Sequence, residues 1–139
     1  MRGKEFFWPV RVYWEDTDAG GVVFYANYLK FMERARTEWL RSLGFEQDNL
    51  IGQEGVLFAV RHVELDFKHP ARLDDALRVS ASIIKRGKAS LTFYQEVRKQ
   101  DHGNTLLCSG RVKVACLDAR RFRPHLIPER LSAEISHVD

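Results

Sequence analysis

Hydrophobic positions along this chain follow two periods, and the changes between them divide it into elements. From Tyr28 to Leu43 the residues Tyr28, Leu29, Phe31, Met32, Ala35, Trp39, Leu40 and Leu43 fall, at about 100° per residue, in one arc of roughly half the circumference. So wide an arc predicts an amphipathic helix wrapped by its surroundings. Asn27 is a good N-cap residue and Gly44 suits the C′ position, which sets the helix ends. Elsewhere the period is two. Phe7 to Trp14 places Trp8, Val10, Val12 and Trp14 on one face and Arg11 and Tyr13 on the other, a first strand. Val56 to Phe67 carries Leu57, Ala59, Val63 and Leu65 on one face and Val56, Phe58, Val60 and His62 on the other, so both faces are partly apolar and the strand should be covered on both sides.

Three more strands follow: Ala76 to Ile84 with Leu77, Val79, Ala81 and Ile83 inward, Ala89 to Arg98, and Thr105 to Leu117. Turn residues separate them at His69-Pro70-Ala71-Arg72-Leu73-Asp74-Asp75, at Gly87 and at Asp101-His102-Gly103-Asn104, while the polar, glycine-punctuated Glu46 to Gly55 reads as a loop. The order is strand, helix, then four strands in an antiparallel meander. A helix of about 24 Å matches strands of about 23 Å, so the natural solution is an α+β fold, a curved five-stranded sheet wrapped round one helix. One helix covers only one face of such a sheet. With 56–67 apolar on both faces, self-association is expected.

The length of 139 residues sets a single domain over 1–139. The 45% hydrophobic and 29% charged composition is that of a soluble globular protein. No run approaches the ~18 apolar residues of a membrane span, and Met1-Arg2-Gly3-Lys4-Glu5 lacks a signal-peptide apolar core; a cytoplasmic location is expected. Cys108 and Cys116, if on one strand, lie about 26 Å apart, too far for a disulfide, and read as reduced core residues. No Cys/His set has zinc spacing, and neither metal nor cofactor is expected. The net charge of +3 is mild, with basic residues bunched at Lys85-Arg86-Gly87-Lys88 and Arg120-Arg121-Phe122-Arg123. Each cluster alone reads as solvated surface. Without a recognition helix, an aromatic platform or a broad basic stripe, nucleic acid is not an expected partner.

Candidate chemistry sits where the first strand meets the helix. The loop carries Glu15, Asp16, Asp18 and the pair Gly20-Gly21, and it delivers them to the positive end of the helix macrodipole. Unpaired N–H groups there can stabilise an oxyanion, and an Asp beside them can attack a carbonyl or activate water to do so. A Gly-x-Ser-x-Gly elbow, a phosphate loop, a dinucleotide fingerprint and a His-Glu-x-x-His are all lacking. Asp16-x-Asp18 fails as a calcium loop, with Gly20 at its fifth position and Asn27 at its twelfth. By residue type alone, Asp18 before two glycines suits a turn as well as it suits catalysis. Glu33, Arg34, Glu38 and Arg41 read as a solvated helix face. Arg36 falls within the apolar arc, so it should snorkel or pair with Glu33.

The run from Trp8 to Tyr28, centred on Glu15-Asp16-Thr17-Asp18-Ala19-Gly20-Gly21-Val22-Val23-Phe24-Tyr25, with Phe31-Met32-Glu33-Arg34-Ala35-Arg36-Thr37-Glu38 after it, closely resembles the 4-hydroxybenzoyl-CoA thioesterase family, and within it the Tol-Pal-associated acyl-CoA thioesterases. The likeness continues through Pro70-Ala71-Arg72-Leu73-Asp74-Asp75 and Lys85-Arg86-Gly87-Lys88-Ala89-Ser90-Leu91. It implies a hotdog fold, paired into homodimers and often homotetramers with active sites at the dimer interface. It also implies a catalytic carboxylate at Asp18 and a backbone N–H at Tyr25 that polarises the thioester carbonyl. The expected function is hydrolysis of a short- or medium-chain acyl-CoA, with Asp18 as nucleophile or general base and with Lys85, Arg86, Lys88 and Ser90 meeting the CoA. One departure is Gly20-Gly21, where hydroxybenzoyl members tend to have Ala-Gly after a Pro; it argues against an aromatic substrate. The residues leave open whether the carrier is CoA or an acyl carrier protein. The rival reading is a non-catalytic acyl-CoA or acyl-carrier-protein binding module of the same fold. A dehydratase of this fold would need an active-site His, and none is matched to Asp18.

Overall fold

The computed structural model describes residues 5–135; the Met1–Lys4 stretch, and the expectation attached to it, lies outside them. Strand β1 (Phe6–Arg11) leads through a tight turn at Trp14–Asp16 and a loop into helix α1 (Asn27–Ser42). A short helix α2 (Gln47–Asn49) runs into one wide turn at Leu50–Glu54, followed by β2 (Val56–Phe67), β3 (Ala76–Arg86), β4 (Ser90–Lys99), β5 (Leu106–Asp118) and a short helix α3 (Glu129–Ile135). All strands pair antiparallel in the order β1-β3-β4-β5-β2. The expected meander therefore holds for β3, β4 and β5 only. β2 runs along the far side of β5, from Val56 opposite Asp118 to Phe67 opposite Cys108, so the chain must cross the sheet to begin β3.

Helix α1 packs on β1, β3 and β4. Phe31, Met32 and Ala35 are fully buried, with Tyr28, Trp39 and Leu40 close to it. Trp39 meets Phe93 edge-on, with ring centroids 5.1 Å apart. Leu77, Val79, Ala81 and Ile83 face inward from β3 as their alternation predicts. At about 1.5–3 kcal/mol for each large side chain taken from water, this layer dominates the stability. Leu29 is exposed at the edge of the helical arc. Gly44 ends the helix as expected, at φ +92° with its N–H donated to the Arg41 carbonyl, 2.9 Å.

Several expectations need correction. β1 stops at Arg11, because Val12 leaves it to exchange hydrogen bonds with Asp74 and Asp75, and Trp14 is 77% exposed rather than inward. Glu46 to Gly55 is mostly helical rather than a loop, anchored by the buried Leu50 and closed by Gly55 at φ +69°. In β2 the register shifts between Val60 and His62, so the side facing the core moves from Val56 and Phe58 to Val63 and Leu65. The apolar residues on both faces thus reflect a bulge in an edge strand, and Val60 is 49% exposed. Arg36 is half-buried and, among the described residues, forms no ion pair with Glu33. Its Nη1 donates to Gln95 Oε1 at 2.9 Å, and Gln95, fully buried, donates in turn to the Met32 and Ser80 carbonyls at 3.0 and 3.1 Å. Burial pushes the Arg36 pKa down to about 10, and the charge of Glu33 acts against that shift.

Candidate active site

The loop between β1 and α1 folds as a small hairpin. Thr17 and Val23 are bridged, Phe24 N–H donates to the Asp16 carbonyl at 3.0 Å, and Asp18 N–H donates to the Val22 carbonyl at 2.9 Å. Gly21 supplies the left-handed residue at the tip, φ +78°. At Gly20 an added Cβ would stand 3.3 Å from Asp18 Oδ1, so glycine there keeps the carboxylate uncrowded. The segment 71–75 braces this hairpin: Val23 N–H donates to the Ala71 carbonyl at 2.8 Å, and Val22 is bridged to Arg72. Ala71 N–H donates to the Tyr28 hydroxyl at 3.0 Å, so the same brace is tied to α1. Burial raises the pKa of that hydroxyl.

Asp16 and Asp18 differ sharply. Asp16 is buried; its Oδ2 accepts the Tyr13 N–H at 2.9 Å and its Oδ1 accepts Asn27 Nδ2 at 3.0 Å. The predicted capping role of Asn27 fails for this reason: Ala26 holds the cap position, and the Asn27 amide points back to Asp16. Asp18 is exposed. Its Oδ1 accepts the Gly20 N–H at 2.8 Å, and among the described residues its Oδ2 has no partner.

Tyr25, 65% exposed, comes just before α1, with Phe24 and Phe67 rings at 4.8 and 6.3 Å. The N–H groups of Asn27, Tyr28 and Leu29 are taken by the carbonyls of Phe24, Tyr25 and Ala26. Among the described residues, the N–H groups of Tyr25 and Ala26 are not. The free donors thus lie one step before the helix. Beside Tyr25 a groove of about 290 Å³ is lined by Val23, Tyr28, Phe67, Lys68, His69 and Pro70. His69 was not singled out from the sequence; no hydrogen bond joins it to Asp18, and its one signal was adjacency to the Pro70–Asp75 brace.

The basic residues lie elsewhere. Lys85, Arg86 and Lys88 are exposed at the turn from β3 to β4. Arg86 and Lys88 border a hollow of about 400 Å³ with Ile127, Glu129 and Ser132, in which the Arg86 guanidinium donates to the Ser132 carbonyl at 3.3 Å. Ser90 is tucked under the turn, where a Cβ on Gly87 would come within 2.5 Å of its Oγ. The Asp18 loop meets the start of β3 through Val12 and Asp75, and the basic turn follows its end. Eleven residues of strand separate them, about 33 Å at ~3.3 Å per residue. One chain therefore does not bring Asp18 and these cations together. The second basic run, 120–123, is a solvated turn in which the N–H groups of Arg120 and Arg121 hold the Asp118 carboxyl below its usual pKa. Among the described residues no group of His, Cys, Asp and Glu could hold a metal, and no helix is long and apolar enough to cross a membrane.

A five-stranded antiparallel sheet around one helix is the hotdog architecture, and here the exposed carboxylate and the backbone donors lie together at the helix entry. The comparisons agree. Residues 20–106 match the model of the Thioesterase superfamily, and the chain belongs to that superfamily. It is similar to the acyl-CoA thioesterase YbgC of Haemophilus influenzae, 42% identical over 139 residues and 99% of both chains. It is also similar to the acyl-CoA thioester hydrolase YbgC of Escherichia coli, 46% identical over 134 residues, 96% of this chain and 98% of that one. Among solved structures, a probable thioesterase from Bartonella henselae superposes with a TM-score of 0.83 at 35% identity, covering 90% of this chain and all of that one.

Proposed function

We propose that this thioesterase hydrolyses short- or medium-chain acyl-CoA at the Asp18 loop, releasing the free acid and CoA. The observation that carries the reading is the presence, in the same short loop, of a carboxylate oxygen and two N–H groups that have no partner among the described residues. Asp18 acts in one of two ways. As nucleophile, its carboxylate attacks the thioester carbon, the C–S bond breaks, CoA leaves as thiolate and water then cleaves the acyl-aspartyl anhydride. As general base, it takes a proton from the water whose oxygen attacks the same carbon, and the C–S bond then breaks, releasing the acid and CoA, which leaves as thiolate and takes up the proton. In both, negative charge develops on the carbonyl oxygen, where the Tyr25 and Ala26 N–H groups can receive it. The groove beside Tyr25 takes the atoms flanking the thioester.

The Lys85, Arg86 and Lys88 turn suits the CoA phosphates. Its distance from Asp18 within one chain supports a site shared between copies. β2 is the edge that a second copy would meet, and its charge pattern favours antiparallel self-pairing: centred between Val63 and Glu64, it sets Arg61 of one chain opposite Asp66 and diagonal to Glu64 of the other. Sizing by light scattering should give a dimer or tetramer, and a stable active monomer at micromolar concentration would contradict this.

A panel of acyl-CoA substrates assayed for thiol release tests the activity. Cys108 and Cys116 will not interfere with a thiol reagent, since burial pushes their pKa values up to about 12 and about 11. Turnover should peak at one chain length. Tight binding of acyl-CoA without thiol release would replace this reading with the non-catalytic module.

A further inference from the structure

The groove beside Tyr25 holds a proton-transfer group that the mechanism above leaves unused. His69 lines it, exposed, and among the described residues its ring makes no hydrogen bond. Its backbone, by contrast, is fixed. The N–H groups of Lys68 and His69 both donate to the Leu107 carbonyl, at 2.8 and 3.2 Å, and Pro70 favours an extended His69. Two residues on, Ala71 is tied to α1 through the Tyr28 hydroxyl and to the Asp18 hairpin through the Val23 N–H. Two residues back, Phe67 packs edge-on against the rings of Tyr28 and Tyr25, with centroids at 5.6 and 6.3 Å. The other titratable groups nearby come from each neighbouring element. Tyr28 of α1 has its pKa raised by burial, and Cys108, opposite Phe67 on β5, has its thiol pushed up to about 12, so both stay neutral. The Lys68 ammonium is engaged by Asp66 at 3.0 Å, Asp75 accepts the N–H of the exposed Arg72, and Tyr25 presents its phenol from the loop. The imidazole is thus a free ring on a rigid turn.

We propose that His69 is the general acid that protonates the leaving sulfur of the thioester, an assignment that rests on the roles given to Asp18 and Tyr25 above. With the carbonyl oxygen on the Tyr25 N–H, the sulfur is bonded to the same carbon and is among the flanking atoms that enter the groove lined by His69. The imidazolium gives its proton to that sulfur as the C–S bond breaks, so the sulfur departs as thiol and not as thiolate, and His69 is left neutral. Where Asp18 is the base, the proton it took from water returns through solvent to the imidazole. Where Asp18 is the nucleophile, the neutral imidazole takes a proton from the water that cleaves the anhydride. Each route ends with His69 protonated again. Neither requires a hydrogen bond between His69 and Asp18.

The test is thiol release by the full-length protein and by His69→Gln from two thioesters of one acyl chain, the acyl-CoA and the S-phenyl ester. An alkyl thiolate is the more basic leaving group and gains from the proton, whereas thiophenolate leaves well without it. His69→Gln should therefore lose at least about tenfold in kcat/KM on acyl-CoA and less than about twofold on the phenyl ester. In the unaltered protein, kcat/KM on acyl-CoA should fall as pH rises through the imidazole titration in the neutral range, because the acid acts only when protonated. That limb should be absent in His69→Gln. Added imidazole should restore part of the rate in His69→Ala, where the lost ring leaves room for it. Equal losses on the two esters, a pH limb unchanged in His69→Gln, or full activity of His69→Gln on acyl-CoA would each overturn the assignment while leaving Asp18 in its role. Absence of thiol release from the unaltered protein would overturn the reading of the site itself, and the assignment with it.

Discussion

Asp16 and Asp18 stand two residues apart in one loop, and the fold treats them in opposite ways. Asp16 is buried with both oxygens hydrogen-bonded, joining the chain after β1 to the first residue of α1. Asp18 sits at the open tip near two glycines, with one oxygen bonded and the other, among the described residues, without a partner. The saturated carboxylate holds the loop, and the other is the one to which the proposed mechanism gives the chemistry. Catalytic groups are commonly displayed on a loop whose rigidity is supplied by neighbours, and for the proposed role of Asp18 those neighbours are Asp16, Asn27 and the 71–75 brace.

Of the changes that probe this contrast without altering Asp18, the largest effect is expected at Asp16. Asp16→Ala leaves the Tyr13 N–H and the Asn27 amide without acceptors, which should cost about 2–4 kcal/mol, or roughly 6–16 °C in Tm by thermal unfolding. Activity assayed well below the new Tm should fall much less than stability. Next comes the basic turn. Reversing Lys85 and Arg86 to Glu should raise KM for acyl-CoA by about tenfold or more, with a salt-dependent loss, and change little for an acyl-pantetheine lacking the nucleotide. Equal effects on both substrates would return these residues to plain solvated surface. The smallest effect is expected at the β2 edge. Glu64→Arg with Asp66→Arg should weaken self-association only a few-fold, because each cross-strand charge pair contributes about 0.2–1 kcal/mol. Adding Arg61→Glu should restore part of it in sedimentation equilibrium, and a dissociation constant unmoved by either change would place the interface elsewhere.

What the sequence made legible follows the range of the forces involved. The helical arc of α1 and the alternation of β3 are local periodicities, and both appear in the structure at their expected positions. The strand order was not legible, because nothing near Val56–Phe67 indicates that its partner is β5 rather than β3. The bulge at Arg61 disguised an edge strand as one covered on both faces. Asn27 looks like a helix cap until a carboxylate eleven residues earlier folds back onto it. Gln95 reads as an ordinary polar strand residue, yet it holds Arg36 from 59 positions away and a carbonyl of α1 as well. At the candidate site, the Asp18 loop was legible from its residues together with the family resemblance. The placement of His69 beside Tyr25, and the separation of the basic turn from Asp18, required the fold.

The most direct measurement is the turnover number of Asp18→Asn on the best acyl-CoA substrate, taken with its melting temperature and oligomeric state. An amide of the same size can neither attack a thioester nor accept a proton from water. The expected result is a fall in kcat of at least ~10²-fold to 10⁴-fold, with Tm, assembly and CoA affinity nearly those of the unaltered protein. Persistence of turnover in Asp18→Asn, together with its loss in a folded Asp16→Asn, would contradict the division of roles between the two carboxylates and place the chemistry on Asp16.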